Sequence, residues 1–166
     1  ANITLEMEPD VILTSTNADC AIKVDYGTFT FASGTIKSSA CAIKVNNSAG
    51  VIINSGTIEV DGEKSCCGLI LNTNTCTAEI NDGCTITVKG TENSSGLYLR
   101  GAVNVNGGTI IVESSLYGYG IQIAGGTSNI KNCTVNVSGE TGIYALDVTG
   151  SQTAANVSGG AFTANA

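Results

Sequence analysis

The sequence has no His, no Trp, one Pro and one Met in 166 residues, and aromatic residues make up only 5% of it. Without His, the side chain most often used as a general base near neutral pH and as a metal ligand is absent. Positive charge is scarce too. Arg100 is the single Arg, and seven basic residues face 14 acidic ones for a net charge of −7. Phosphate backbones are held by clustered Lys and Arg, so this balance argues against a nucleic-acid partner. No run approaches the ~18 consecutive apolar residues of a membrane span, so membrane insertion by this segment is not expected. The opening residues Ala1-Asn2-Ile3-Thr4 are neither a charged leader region nor an initiator Met. A signal or anchor, if one exists, lies outside this stretch.

What is abundant is Gly, Ser, Thr, Asn and small branched apolar residues, with 42% of the chain hydrophobic. A disordered low-complexity chain would carry far less Ile and Val. The apolar residues fall into three recurring phrases. The first reads Cys20-Ala-Ile-Lys-Val, Cys41-Ala-Ile-Lys-Val, Cys67-Gly-Leu-Ile-Leu, Ser95-Gly-Leu-Tyr-Leu, Tyr119-Gly-Ile-Gln-Ile and Tyr144-Ala-Leu-Asp-Val. The second reads Gly34-Thr-Ile, Gly56-Thr-Ile, Cys84-Thr-Ile, Gly108-Thr-Ile, Cys133-Thr-Val and Gly160-Ala-Phe. The third places Phe29/Phe31, Val51/Ile53, Ala78/Ile80, Val103/Val105, Ser128/Ile130 and Ala155/Val157 ahead of these, with Ile3/Leu5/Met7 as its first copy. All three recur roughly every 24 residues, which marks a stacked repeat architecture.

Within each phrase apolar and polar residues alternate with period two, as in a half-buried strand. Three such strands per turn cannot bury a face alone; coiling them and stacking each on its equivalent solves the problem. The expected fold is therefore all-β, a right-handed parallel β-helix with three short strands per coil and about six to seven coils. Residues 1–166 form a single β-solenoid domain, which could be one subunit or segment of a longer rod. The phrases Gly107-Gly-Thr-Ile-Ile-Val and Asn54-Ser-Gly-Thr-Ile-Glu-Val resemble repeats of the pectate-lyase-like β-helix superfamily, most of all its non-catalytic bacterial surface and adhesin-like members. The resemblance spans nearly the whole chain, and it implies architecture more than activity.

Carbohydrate-active β-helices use clustered carboxylates on an outward strand face. The six Asp here, at positions 10, 19, 25, 61, 82 and 147, fall in different columns, so neither a catalytic nor a metal or cofactor site is expected. Straight alternation through the first phrase turns Ile22 and Val24 inward. It turns Ala21, Ala42, Gly68, Gly96, Gly120 and Ala145 outward as a strip of small side chains. Beside this strip Tyr98, Arg100, Gln122 and Asp147 could orient a glycan, the ring giving apolar contact and the polar groups meeting hydroxyls. Small residues are also what a sharp bend of the coil requires.

Six-residue loops at 61–66, 89–94, 113–118 and 138–143 are expected to form a rim, given an acidic cast by Glu63, Glu92, Glu113 and Glu140. A Thr column, Thr35, Thr57, Thr85, Thr109 and Thr134, has too irregular a companion column for an ice lattice. Cys20, Cys41 and Cys67 share one ladder position, read as inward, and most of the seven Cys are expected to be buried thiols. Six Asn-x-Ser/Thr sequons, at Asn2, Asn46, Asn93, Asn132, Asn136 and Asn156, favour a secreted source only weakly. The functional expectation is an extracellular or cell-surface structural or adhesive solenoid, stacked head to tail on itself or on flanking repeats. The alternative is a carbohydrate-binding module without catalytic activity.

Overall fold

Each turn of the chain is a triangle of short strands, and successive turns stack in register. The computed structural model describes residues 2–5, 7–8, 10–150 and 152–166, the first four by backbone alone. The inward roles expected of Ile3 and Leu5, and the position of Pro9, lie outside that description. Twenty strands form three wholly parallel sheets of seven, seven and six strands, with no helix among the described residues. The first sheet runs from Asn2–Leu5 to Thr153–Ser158, the second from Ile12–Ser15 to Ala161–Asn165, and the third from Ile22–Val24 to Gly142–Val148. Each interior strand pairs with its equivalents one coil before and one coil after. The chain is thus a β-solenoid with three strands per coil.

The core follows from register. In the second sheet Leu13, Ile36, Ile58, Ile86, Ile110, Val135 and Phe162 lie on one another. In the third the stack is Ile22, Ile43, Leu69, Leu97, Ile121 and Leu146. Every interior member of these stacks is buried, while Ile22, Leu146 and Phe162, in the end coils, are partly buried against the same core. A slip of one residue would turn each stack to solvent, so the burial pattern fixes the register.

From the second coil onward, each coil enters the second sheet through a left-handed backbone residue. Gly34, Gly56, Gly108 and Gly160 have φ of 93°, 94°, 89° and 93°. Where Cys84 and Cys133 replace the Gly of the phrase, the left-handed residue moves one place earlier, to Gly83 at 88° and Asn132 at 52°. Gly takes this conformation without penalty and Asn tolerates it. The corner is crowded as well: a Cβ on Gly56 would sit 2.6 Å from the Gly34 carbonyl oxygen of the previous coil.

The expected six-residue rim loops are not there in the later coils. Strands Cys84–Gly90 and Asn93–Leu99 leave two residues between them, as do Thr109–Ser114 and Tyr117–Ile123, and Thr134–Gly139 and Gly142–Val148. Lys89, Glu113 and Ser138 stay in the ladder, followed by Gly90, Ser114 and Gly139. Backbone pairing between coils therefore carries the strand up to the turn. Of the four expected loops, the one at residues 62–66 alone is a longer connection.

Candidate functional site

The third sheet breaks its alternation once per coil, and this decides what its outer face carries. In Asn93–Leu99, Ser94 points inward and Ser95 outward, and then Gly96 and Leu97 both turn inward. The ladder pairs Ser95 with Tyr119 and Leu97 with Ile121, stepping over Gly96 and Gly120. A Cβ on Gly96 would lie 2.3 Å from Ile110 Cγ2, one on Gly68 2.5 Å from Ile86 Cγ2, and one on Gly120 2.2 Å from Val135 Cγ1. The small-residue strip expected on the outside is thus an inner corner seam, where the branched residues of the second sheet leave no room for a larger side chain. Ala42 is fully buried in it, and Ala21 and Ala145 pack on the same core. The bend requirement, not a ligand, explains the column.

The same shift moves Cys20, Cys41 and Cys67 out of the interior. They form a separate apolar cluster on the outer face, with Ile70 and Tyr98 packed over it. The outer column therefore reads Cys20, Cys41, Cys67, Ser95, Tyr119, Tyr144, beside Lys23, Lys44, Ile70, Tyr98, Gln122, Asp147. All seven Cys are free thiols and buried. Burial within the protein pushes Cys84 up to about 12 and Cys133 to about 11. Cys41 is raised further, first by its hydrogen bond with the Cys67 thiol and then by burial.

Three of the four residues chosen from the sequence line one open groove on this face, of 470 Å³: Tyr98, Arg100 and Gln122. Arg100 Nε donates to Tyr98 Oη at 3.1 Å, with the guanidinium carbon 5.6 Å from the ring centroid. Asp147 joins through Gln122, whose Nε2 donates to Asp147 Oδ2 at 3.0 Å. At the other end of the groove Lys44 Nζ donates to Asp19 Oδ1 at 2.7 Å. That bond, and then the lysine charge, lower the Asp19 carboxyl below its ordinary value. Beyond the groove Tyr119 and Tyr144 stack with centroids 5.4 Å apart and an 11° tilt. Period two carried straight through the corner put these two rings inside; the adjacent Gly120 and Ala145 were the signal that the phase changes there.

The remaining expectations separate cleanly. The Thr column is in register, but its companions Lys37 and Glu59 form an ion pair at 2.7 Å, which breaks up any flat array. The acidic rim is mixed in charge, since Lys89 pairs with Glu113 at 2.9 Å beside Asp61 and Glu140. Among the described residues no three Cys, Asp or Glu are grouped so as to hold a metal ion. The Asn residues form ladders, each amide donating one coil back. Asn156 bonds to Asn129 and Asn129 to Asn104, Asn106 bonds to Asn81 and Asn81 to Asn54, and Asn72 bonds to Asn46, which bonds to Asp25. Two sequon residues, Asn46 and Asn156, thus have their amides engaged in the fold. No protein-family model, no curated protein and no solved structure matches this chain.

Proposed function

We propose that the chain serves as a structural or adhesive rod at the cell surface or outside the cell, akin to non-catalytic pectate-lyase-like β-helices. In this reading each end is covered by a further coil, from a second copy or from flanking repeats. The observation that supports this is the pair of open ends. Among the described residues, the terminal strands of all three sheets have one neighbour only, and core-facing residues are bared there: Leu13 at one end, Val148 and Val157 at the other. Stacking Ala161–Asn165 on Ile12–Ser15 of another copy, in the register every internal pair keeps, sets Phe162 on Leu13 and Thr163 on Thr14. The third sheet is one strand shorter than the other two, so this stacking leaves one strand position between Gly142–Val148 and Ile22–Val24 for a flanking segment to fill. The apolar stack of the second sheet continues, while unpaired strand edges of the first two sheets gain partners. Because this contact is head to tail, copies would grow an open filament. Negative-stain images of the native protein should show rods longer than the ~30 Å of one copy's coils. Particles of one copy's length with nothing over either end overturn the reading.

A second reading is favoured by the groove on the third sheet. Tyr98 and Arg100 side by side with Gln122 and Asp147 offer a ring and hydrogen-bonding groups to a neutral or acidic glycan, with no catalytic step. Tyr98→Ala should lose retention in a polysaccharide affinity gel with little change in melting temperature. Undiminished retention removes this site.

A further inference from the structure

We infer that Cys41 and Cys67 are a disulfide-forming pair, oxidised by a small-molecule disulfide that enters through the groove on the third sheet. Of the seven thiols these two are direct partners across adjacent parallel strands. In-register neighbours lie ~4.8 Å apart, inside the ~4.4–6.8 Å window of Cα separations that a disulfide spans. Both side chains leave the same face and take the same orientation, since each thiol donates to the carbonyl two residues on, Ile43 at 3.4 Å and Leu69 at 3.3 Å. The two thiols also touch each other within one outer-face cluster.

The other Cys are placed differently. Cys84 and Cys133 have the Gly108 coil between them. The Cys76 thiol is tied to the carbonyls of Val45 and Asn47 at 3.4 and 3.3 Å. Cys66 borders the groove too, but it packs in the inner core and no Cys is its strand partner. Cys20 is the in-register neighbour of Cys41 on its other side, fixed by the Ala21 N–H to the Cys41 carbonyl. Cys20, however, does not line the groove that Cys41 and Cys67 line, so it is left as the third rung.

Access is what turns proximity into a site. Cys41 and Cys67 both line the open groove, next to the Lys44 ammonium. In the reaction the Cys67 sulfur, the more exposed of the two, attacks the small disulfide as thiolate and expels one small thiol, leaving a mixed disulfide. The second Cys sulfur then attacks the mixed disulfide and expels the other small thiol. The two Cys protons end on the two released thiols, and the pair of electrons lost by the Cys sulfurs reduces the reagent. The product ties two neighbouring coils together beneath Tyr98.

The test uses the native protein incubated with oxidised glutathione, then denatured in the presence of an alkylating agent, digested and analysed by mass spectrometry. Two of the seven thiols should be lost to alkylation, with one cross-linked peptide joining Cys41 to Cys67. Cys41→Ser should abolish that peptide and trap a mixed disulfide on Cys67, Cys67→Ser should abolish it, and Cys20→Ser should leave the cross-link intact. The inference is overturned if all seven thiols stay alkylatable, if the cross-link joins another pair, or if Cys20→Ser removes it. End stacking does not enter this result, so rods and the disulfide stand or fall separately.

Discussion

Ile58 and Thr57 are adjacent in sequence and opposite in consequence. Ile58 is fully buried between Ile36 and Ile86 of the neighbouring coils, whereas Thr57 lies in the outward column. Ile58→Asp strips a packed layer of its branched side chain and leaves a carboxylate with no partner. A loss of about 3–5 kcal/mol is expected in denaturant unfolding. Thr57→Asp should cost under about 1 kcal/mol, and equal losses would mean the register is wrong. Ser128 tests the same logic in reverse. It fills an inward slot between Val103 and Ala155, and its hydroxyl is buried without a hydrogen-bond partner. Ser128→Ala is expected to raise stability by roughly 1 kcal/mol, because the unmet polar group disappears; a lower melting temperature would show that the hydroxyl has a partner. Residues of the second sheet were legible in the sequence because their alternation runs unbroken from Thr35 to Lys37 and in each later copy. Nothing local interrupts the period, so inside and outside follow from counting.

At the level of the element, the third sheet shows where counting fails. Period two holds from Leu97 to Leu99, but Gly96 is an extra inward residue that the ladder steps over. Every residue before it, from Cys20 to Tyr144 in the repeated column, is thereby turned to the other face. The sequence did mark the place, since Ala or Gly fills it in all six copies, yet smallness alone is equally compatible with an outer strip. What separates the two is the approach of Ile110 Cγ2, which belongs to another sheet and is visible only once the coil has closed. The consequence is measurable. Gly96→Val puts branched carbon where 2.3 Å separates a Cβ position from Ile110, and 2.6 Å from the Gly120 carbonyl oxygen. Overpacking of this kind costs about 1–3 kcal/mol or more. Ser95→Val, one residue earlier and on the outer face, should cost clearly less, so a thermal melt that ranks the two in the opposite order refutes the inner seam. The same shift explains why Tyr98, Arg100, Gln122 and Asp147 were found together from sequence while Tyr119 and Tyr144 were not. The first four lie after the corner, or in its phase, and the two rings lie before it.

For the molecule as a whole, a core of thin layers filled partly by thiols ties stability to alkaline pH. Burial raises Cys84 to about 12 and Cys133 to about 11, and Cys66 and Cys41 are raised as well. In the unfolded chain the same thiols ionise near about 8.5. Below that value both states hold the proton and the thiols add no pH dependence. Above it the unfolded state gives up protons that the folded state keeps, so the unfolded state gains free energy of ionisation and stability falls with each further unit. The decline due to Cys133 and Cys84 continues until these two folded thiols ionise in turn, near 11 and 12. The acid side offers no matching effect from Asp19, whose lowered carboxyl is fully exposed and screened. Guanidinium unfolding midpoints should therefore be flat through neutral pH and drop between about pH 9 and 11. Replacing Cys84 and Cys133 by Ala should lower the midpoint at neutral pH through lost packing, yet make the alkaline drop shallower. Lys and Tyr begin to titrate in the same range, which is why the difference between the two profiles, and not the drop alone, carries the test. A double variant whose midpoint falls as steeply as the parent's would show that the thiols do not set the alkaline limit.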